Sequence, residues 1–281
     1  MSSTSKCSCL LLYIPLAILL FLSGCSQAAF GAAPSIRLEM PAHPLLYKFD
    51  LSPQQGLRDI AGDLSVRTHG ADTGIAVLPG EKVEIFASGS ARMQPGGEQS
   101  GPEGLASCPG SSRPEPALPC YAVIYSVGFA GQAGEVGTQV GFTPATIGNL
   151  FMGVNTTTLV GNSGSFHITV LIIPPGTIAG MWASPQDNFI VQGTTLILSA
   201  HVFAQNATVE TVQFTAAAPG QAAVPICEAI ITGKDTYSCA WDFTLKKTYF
   251  HNGPVSLGFT LEGKSNNGKL VQAMVNPRKT S

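Results

Sequence analysis

Charge is what this sequence has least of. Only 11% of its 281 residues are Asp, Glu, Lys or Arg, against roughly 25% in an ordinary soluble domain. Soluble helices need Glu, Lys and Arg on their outer faces, and 31 Gly and 20 Pro work against helices as well. The shortage argues against a mostly helical protein or a coiled coil. Fifteen Lys and Arg over this length cannot build a strong phosphate-binding field, so nucleic acid is not an expected partner. A membrane-length apolar run is also missing. The run from Cys9 to Leu22 (CLLLYIPLAILLFL) falls short of the about 20 residues that a spanning helix needs. What is present is a hydrophobic content of 44%, too high for general disorder. The remaining class is all-β, with surfaces of Ser, Thr, Asn and Gln. The length suggests two domains of about 100–150 residues each.

The N-terminal segment reads as an address. Lys6 supplies a small positive region, the apolar run follows, and Leu22-Ser23-Gly24-Cys25 closes it. The segment resembles a bacterial lipoprotein signal peptide over residues 1–24. The resemblance implies that Cys25 is lipidated and becomes the mature N-terminus, so the membrane is a partner through that lipid. An uncleaved anchor or a plain secretory signal is the other reading. Each places the rest of the chain outside the cytoplasm, and the lipoprotein reading anchors it to the bacterial cell membrane.

The seven cysteines divide accordingly. Cys7 and Cys9 belong to the signal and Cys25 to the lipid. Cys108, Cys120, Cys227 and Cys239 remain, in two local pairs each 12 residues apart. An even count in an oxidising compartment argues for disulfides. Of three connectivities, proximity favours Cys108 with Cys120 and Cys227 with Cys239. Zinc is the competing use, but neither pair has C-x-x-C spacing and no His stands at ligand spacing.

Residues 25–59 read as the lipidated Cys and a tether. Within them, Ile36 to Met40 and Leu46 to Phe49 are strand-like pieces that either add an edge strand or stay loose. From residue 60 the pattern is strand and turn. Ile75 to Leu78 ends at the turn pair Pro79-Gly80, and Val83 to Ala87 alternates as a half-buried strand does. Residues 89–120 read as a long loop rich in Gly, Pro and Ser. Tyr121 to Val127, Val140 to Phe142, Leu150 to Val154 and Ser165 to Val170 follow as strands. Pro174-Pro175-Gly176 marks a boundary. Beyond it Thr194 to Val202, Val209 to Phe214, Ala229 to Thr232, Thr236 to Phe243 and Val255 to Leu261 make a second all-β domain. Two β-sandwiches, 60–173 and 174–281, are therefore expected.

Residues 72–89 (DTGIAVLPGEKVEIFASG) carry a specific pattern. Gly101-Pro102-Glu103-Gly104, Tyr121 to Gly128, Gly148 to Asn155 and Gly161 to Phe166 follow in order. Together they resemble small bacterial calcium-dependent galactose lectins of the PA-I galactophilic type, over about residues 64–172. The resemblance implies a jelly-roll-like sandwich with one Ca²⁺ at its edge that coordinates sugar hydroxyls. Carried over, the sugar-binding residues are Met93, Asn155, Thr156 and Asn162, and the calcium ligands are the Met93 carbonyl, Thr156 and Asn162. Thr156 stands where the family has an acid, Gly161 where it has an Asn, and the family's sugar-contacting His has no counterpart in Leu105 to Cys108. Gly161 and Gly164 read as turn residues.

In the second half, Asp235-Thr236-Tyr237-Ser238-Cys239 resembles the late-strand D-x-Y-x-C signature of immunoglobulin-like domains. Cys227 is nearer than the usual disulfide partner, so the bridge is expected to clip neighbouring strands instead of joining the sheets. Trp182, in a stretch that resembles the entry strand of bacterial Ig-like modules, and Trp241 read as packing residues.

No catalytic pattern emerges. The five His are not in HExxH, and Gly161-Asn162-Ser163-Gly164-Ser165 misses the nucleophile elbow at its last position and lacks a following helix. The expectation is a non-catalytic surface lipoprotein that binds carbohydrate, galactose-type first. The alternative is a structural or protein-binding lipoprotein whose lectin-like domain has lost its calcium and sugar site.

Overall fold

The computed structural model describes residues 40–53, 58–59, 67–68, 70–93, 96–107, 113–128, 131–157, 160–185, 194–242 and 255–279. The signal segment, Cys25, the tether up to residue 39 and Cys108 lie outside them. The described residues contain strands and no helix, so the fold is an all-β sandwich architecture.

The first half holds β1 (Leu45–Leu51), β2 (Arg58–Asp59), β3 (Arg67–Thr68), β4 (Ala71–Val77), β5 (Lys82–Arg92), β6 (Gln99–Ser100), β7 (Val123–Val127), β8 (Gly134–Glu135), β9 (Gln139–Phe142), β10 (Gly148–Val154) and β11 (Ser163–Ile173). One sheet runs β1-β11-β5-β6, with β9 also on β5; the other runs β4-β10-β7-β8. The inward residues of alternating strands meet between them. Val83, Ile85, Phe166, Ile168 and Val170 come from the first sheet, and Ile75, Val77, Leu150, Met152 and Val154 from the second. Each large side chain buried this way contributes about 1.5–3 kcal/mol.

Of the two readings of Leu46 to Phe49, the edge strand is the one present: β1 lies inside the stretch 25–59 and pairs with β11 over its whole length at the edge of the sheet, Leu45 opposite Ile172 through Leu51 opposite Phe166. Its alternation explains this: Leu45, Tyr47, Phe49 and Leu51 turn toward the core, while Leu46, Lys48 and Asp50 are exposed. The expected loop from residue 89 begins later. β5 continues to Arg92 because β11 offers it an eleven-residue ladder, from Lys82 opposite Ile173 to Arg92 opposite Ser163. Pairing overrides the weak strand propensity of Ser88-Gly89-Ser90.

Gly161, in the turn before β11, and Gly164, which lies inside β11 opposite Ala91 and not in a turn, both take positive φ, 84° and 94°. A Cβ at Gly164 would stand 2.6 Å from the Ser90 carbonyl oxygen, so both conformation and space demand glycine there.

β11 ends at Ile173 and β12 (Thr177–Ser184) begins after Pro174-Pro175-Gly176. The second half adds β13 (Thr195–Gln205), β14 (Ala207–Ala217), β15 (Val224–Glu228), β16 (Ile230–Gly233), β17 (Thr236–Asp242), β18 (Ser256–Ser265) and β19 (Leu270–Lys279). Its sheets are β12-β13-β17-β16 and β15-β14-β18-β19. Trp182 is 6% exposed, its ring 5.4 Å from Phe214 and 5.0 Å from Phe259, edge-on to the latter. Trp241 is buried in the same core. Both tryptophans pack the interior.

The disulfide between Cys227 and Cys239 is present, with Cα atoms 6.3 Å apart. It does not clip neighbours within one sheet. Cys227 sits on β15 and Cys239 on β17, which belong to opposite sheets, so the bridge joins the two layers of the sandwich. Tyr237 lies on β17, between Ala200 of β13 and Ile231 of β16. Replacing Cys227 and Cys239 together by Ser is expected to lower stability by about 2–4 kcal/mol, read as a shift of the urea midpoint of the second sandwich. Cys120 is also disulfide-bonded; its expected partner, Cys108, is outside the described residues.

Candidate functional site

The residues carried over from the lectin resemblance gather at the end of the first sandwich where β10 leaves and β11 begins. There they serve the fold. Asn155 is 0% exposed. Its side-chain amide donates to the carbonyl oxygens of Glu115 (3.0 Å), Leu118 (3.2 Å) and Pro119 (2.9 Å), and its Oδ1 accepts from the Glu115 amide at 3.0 Å. Its backbone accepts from Tyr121 N–H and donates to Ala122 C=O. One side chain thus organises the segment 115–119, whose backbone has no strand partner to satisfy it.

Thr156 is fully buried. Asn162 is 5% exposed, and its amide donates 3.0 Å to the Pro53 carbonyl just beyond β1. Met93 follows the Arg92–Ser163 pair that ends the β5–β11 ladder, which sets it beside Asn162, and its side chain is buried in the core. The Gly101 to Gly104 stretch is a turn in which Gly104 N–H donates to Gly101 C=O, and Pro102 C=O accepts from Val123 at the start of β7.

The four residues are therefore near one end of the sandwich, but they are enclosed. Calcium takes six to eight oxygen ligands and draws its affinity from carboxylates. Here the late loop offers neutral groups, Asn155 has its polar atoms engaged, and among the described residues no three His, Cys, Asp or Glu side chains come together.

Open space exists elsewhere. A groove of about 380 Å³ lies between β1 and β4, the strands that end the two sheets of the first sandwich. Its size falls in the range of small-molecule sites. Tyr47, Phe49, Ile75 and Met152 give it an apolar floor; Lys48, Asp50, Asp72 and Thr73 give it polar walls. Several of the polar groups are held in place. Asp72 Oδ1 accepts from Gly74 N–H at 2.8 Å and its Oδ2 from Asn149 Nδ2 at 2.9 Å. Thr73 Oγ1 donates to the Leu150 carbonyl at 2.6 Å. Asp50 Oδ1 is 2.6 Å from His167 Nδ1 across the β1–β11 pair. Lys48 is exposed at the rim. Both bounding strands are sheet edges, which leaves backbone N–H and C=O groups free along one side of each.

The sequence reading missed this groove. The alternation of residues 45–51 was visible, but that β1 would stand opposite β4 depends on the sheet order. The chain matches no protein-family model and no curated protein.

Proposed function

We propose that this chain is an extracytoplasmic, lipid-anchored, non-catalytic binding protein, and that its first sandwich takes a polar ligand, carbohydrate first, in the groove between β1 and β4. The groove carries the reading. It pairs two half-buried rings, Tyr47 and Phe49, with fixed polar groups at Asp72 and Thr73 and a cation at Lys48, the mixture of apolar face and directed hydrogen bonds that a sugar presents in complement. The lectin resemblance supplies the ligand class, and the burial of Asn155, Thr156 and Asn162 favours the groove over the late loop as the place of binding. The strand order of the second half, with β12, β13, β17 and β16 over β14, β18 and β19, has the ABED-over-CFG form, which supports the Ig-like reading of that module; β15 extends its second sheet.

A glycan array probed with the full chain, with calcium and with chelator, tests this. Binding is expected and is independent of calcium, and Lys48→Ala and Asp72→Ala each weaken it by about tenfold or more. Silence across the array in both conditions overturns the reading. Calcium is expected to leave the melting temperature unchanged, whereas a site at 100 times its Kd would add about 2.7 kcal/mol.

The second reading, a structural or protein-binding lipoprotein, rests on a separate observation. β16 is a sheet-edge strand exposed at every position, and Ile230 and Ile231 are 70% and 69% exposed on it. An apolar edge of this kind suits pairing with another protein.

A further inference from the structure

The outer face of the first sandwich meets the outer face of the second through a small core of its own. β11 contributes Leu171 and Ile173, β12 contributes Ala179 and Met181, β13 contributes Phe203, and β5 contributes Phe86. His201 of β13 lies against this cluster. Its ring stacks on Phe86, with centroids 5.5 Å apart and planes at 28°, and lies 6.4 Å from Phe203. Phe86 and Phe203 are themselves 5.8 Å apart. Lys82 Nζ sits 5.0 Å above the Phe203 ring, and Gln205 Nε2 donates to the Gly80 carbonyl at 2.8 Å. The imidazole is thus part of the apolar fastening between the sandwiches.

We propose that His201 makes this junction acid-labile: the neutral imidazole fastens Phe86 to Phe203, and its protonation releases the second sandwich from the first. The charged groups around it come from two elements. Asp235, in the turn between β16 and β17, and Glu84, on β5, both attract the protonated ring. Glu84 is itself engaged, by Lys82 at 3.0 Å and by Gln139 Nε2 at 3.3 Å. Thr236 Oγ1 lies 3.3 Å from His201 Nδ1 and serves either tautomer. Across the β5–β11 ladder, Glu84 stands opposite Leu171 and Lys82 opposite Ile173, so these two are the charged groups on that side of the cluster among the described residues. Burial is the dominant influence and holds the His201 pKa below its ordinary 6.5, with Asp235 and Glu84 opposing.

The sign follows from linkage. The opened junction binds the proton more tightly than the closed one, so closure is fully favoured above the ordinary value of 6.5. It weakens as pH falls from there toward the lower pKa of the closed state. Each unit of difference weights the open form about tenfold.

Hydroxyl-radical footprinting of the full chain tests the proposal at about pH 7.5 and about pH 5.5. Phe203 is expected to be modified several-fold faster at the lower pH, with Phe166 and Phe214, in the two separate cores, unchanged. His201→Phe, which keeps the stack and cannot titrate, is expected to abolish the pH response; His201→Gln serves if the first variant does not fold. The proposal is overturned by a flat response in the wild type, by the same response in the variant, or by a parallel rise at Phe166 and Phe214, which would signal general unfolding.

Discussion

Asn155→Asp is expected to destabilise the first sandwich by about 3–5 kcal/mol, the cost of an uncompensated buried charge. The side chain is 0% exposed and its Nδ2 faces three carbonyl oxygens at 2.9–3.2 Å. Aspartate replaces that donor by an acceptor of the same shape. Each of the three oxygens loses that donor and confronts a fourth oxygen, keeping only Leu118 N–H at Glu115, the Arg113 guanidinium at Leu118 and the longer Ala122 N–H contact at Pro119. Segment 115–119 loses its organiser and Cys120, next in the chain, loses its framing. Chemical denaturation with and without calcium measures the effect and also separates two roles for this position. A scaffold role predicts the same loss in both conditions. A cation role predicts that the added carboxylate recruits calcium and that calcium restores stability; such rescue would return the binding site to the late loop.

Phe259→Ala is expected to cost the second sandwich about 3–5 kcal/mol. Phe259 is 0% exposed and stands between Trp182, 5.0 Å away and edge-on, and Phe214 at 5.5 Å. Gly180 shows how closely the ring is seated, since a Cβ there would lie 2.7 Å from Phe259 Cε2. Removing the ring leaves a cavity that Trp182 cannot fill without abandoning Phe214. The two cores share no residue, so the loss belongs to the second half. A urea titration read by Trp fluorescence reports it directly, because Trp182 and Trp241 both lie in that core. A midpoint shift worth less than about 1 kcal/mol would mean the core collapses around the gap and that the packing argument is wrong.

Much of the architecture was legible locally. Alternation marked β5, and short apolar runs between turn-rich stretches marked β4, β7, β9, β10 and β11 and most of the second half. What escaped was decided by pairing. β15 and β19 carry weak local signals: Val224 to Glu228 contains a proline and a cysteine, and the β19 segment lacks strict alternation and ends in Asn276-Pro277-Arg278-Lys279. They become strands because β14 and β18 present open edges. The extension of β5 through Gly89 has the same origin.

The candidate site shows the same division more sharply. Asn155, Thr156 and Asn162 look alike in sequence whether they face a ligand or a loop. The difference is burial, and burial depends on where segment 115–119 and Pro53 return to meet them.

Composition and periodicity determined by themselves that this is a charge-poor, all-β chain, and cysteine spacing favoured the 227–239 bridge among three pairings. These are local properties, fixed by what a pleated strand and a short disulfide loop require. Only the tertiary structure decided that the bridge joins two sheets, that β1 closes the first sandwich and opens a groove against β4, and that His201 lies between two phenylalanines from different halves. Each of those depends on strand order and on which faces meet, and residues distant in sequence carry no local mark of the neighbour they will have.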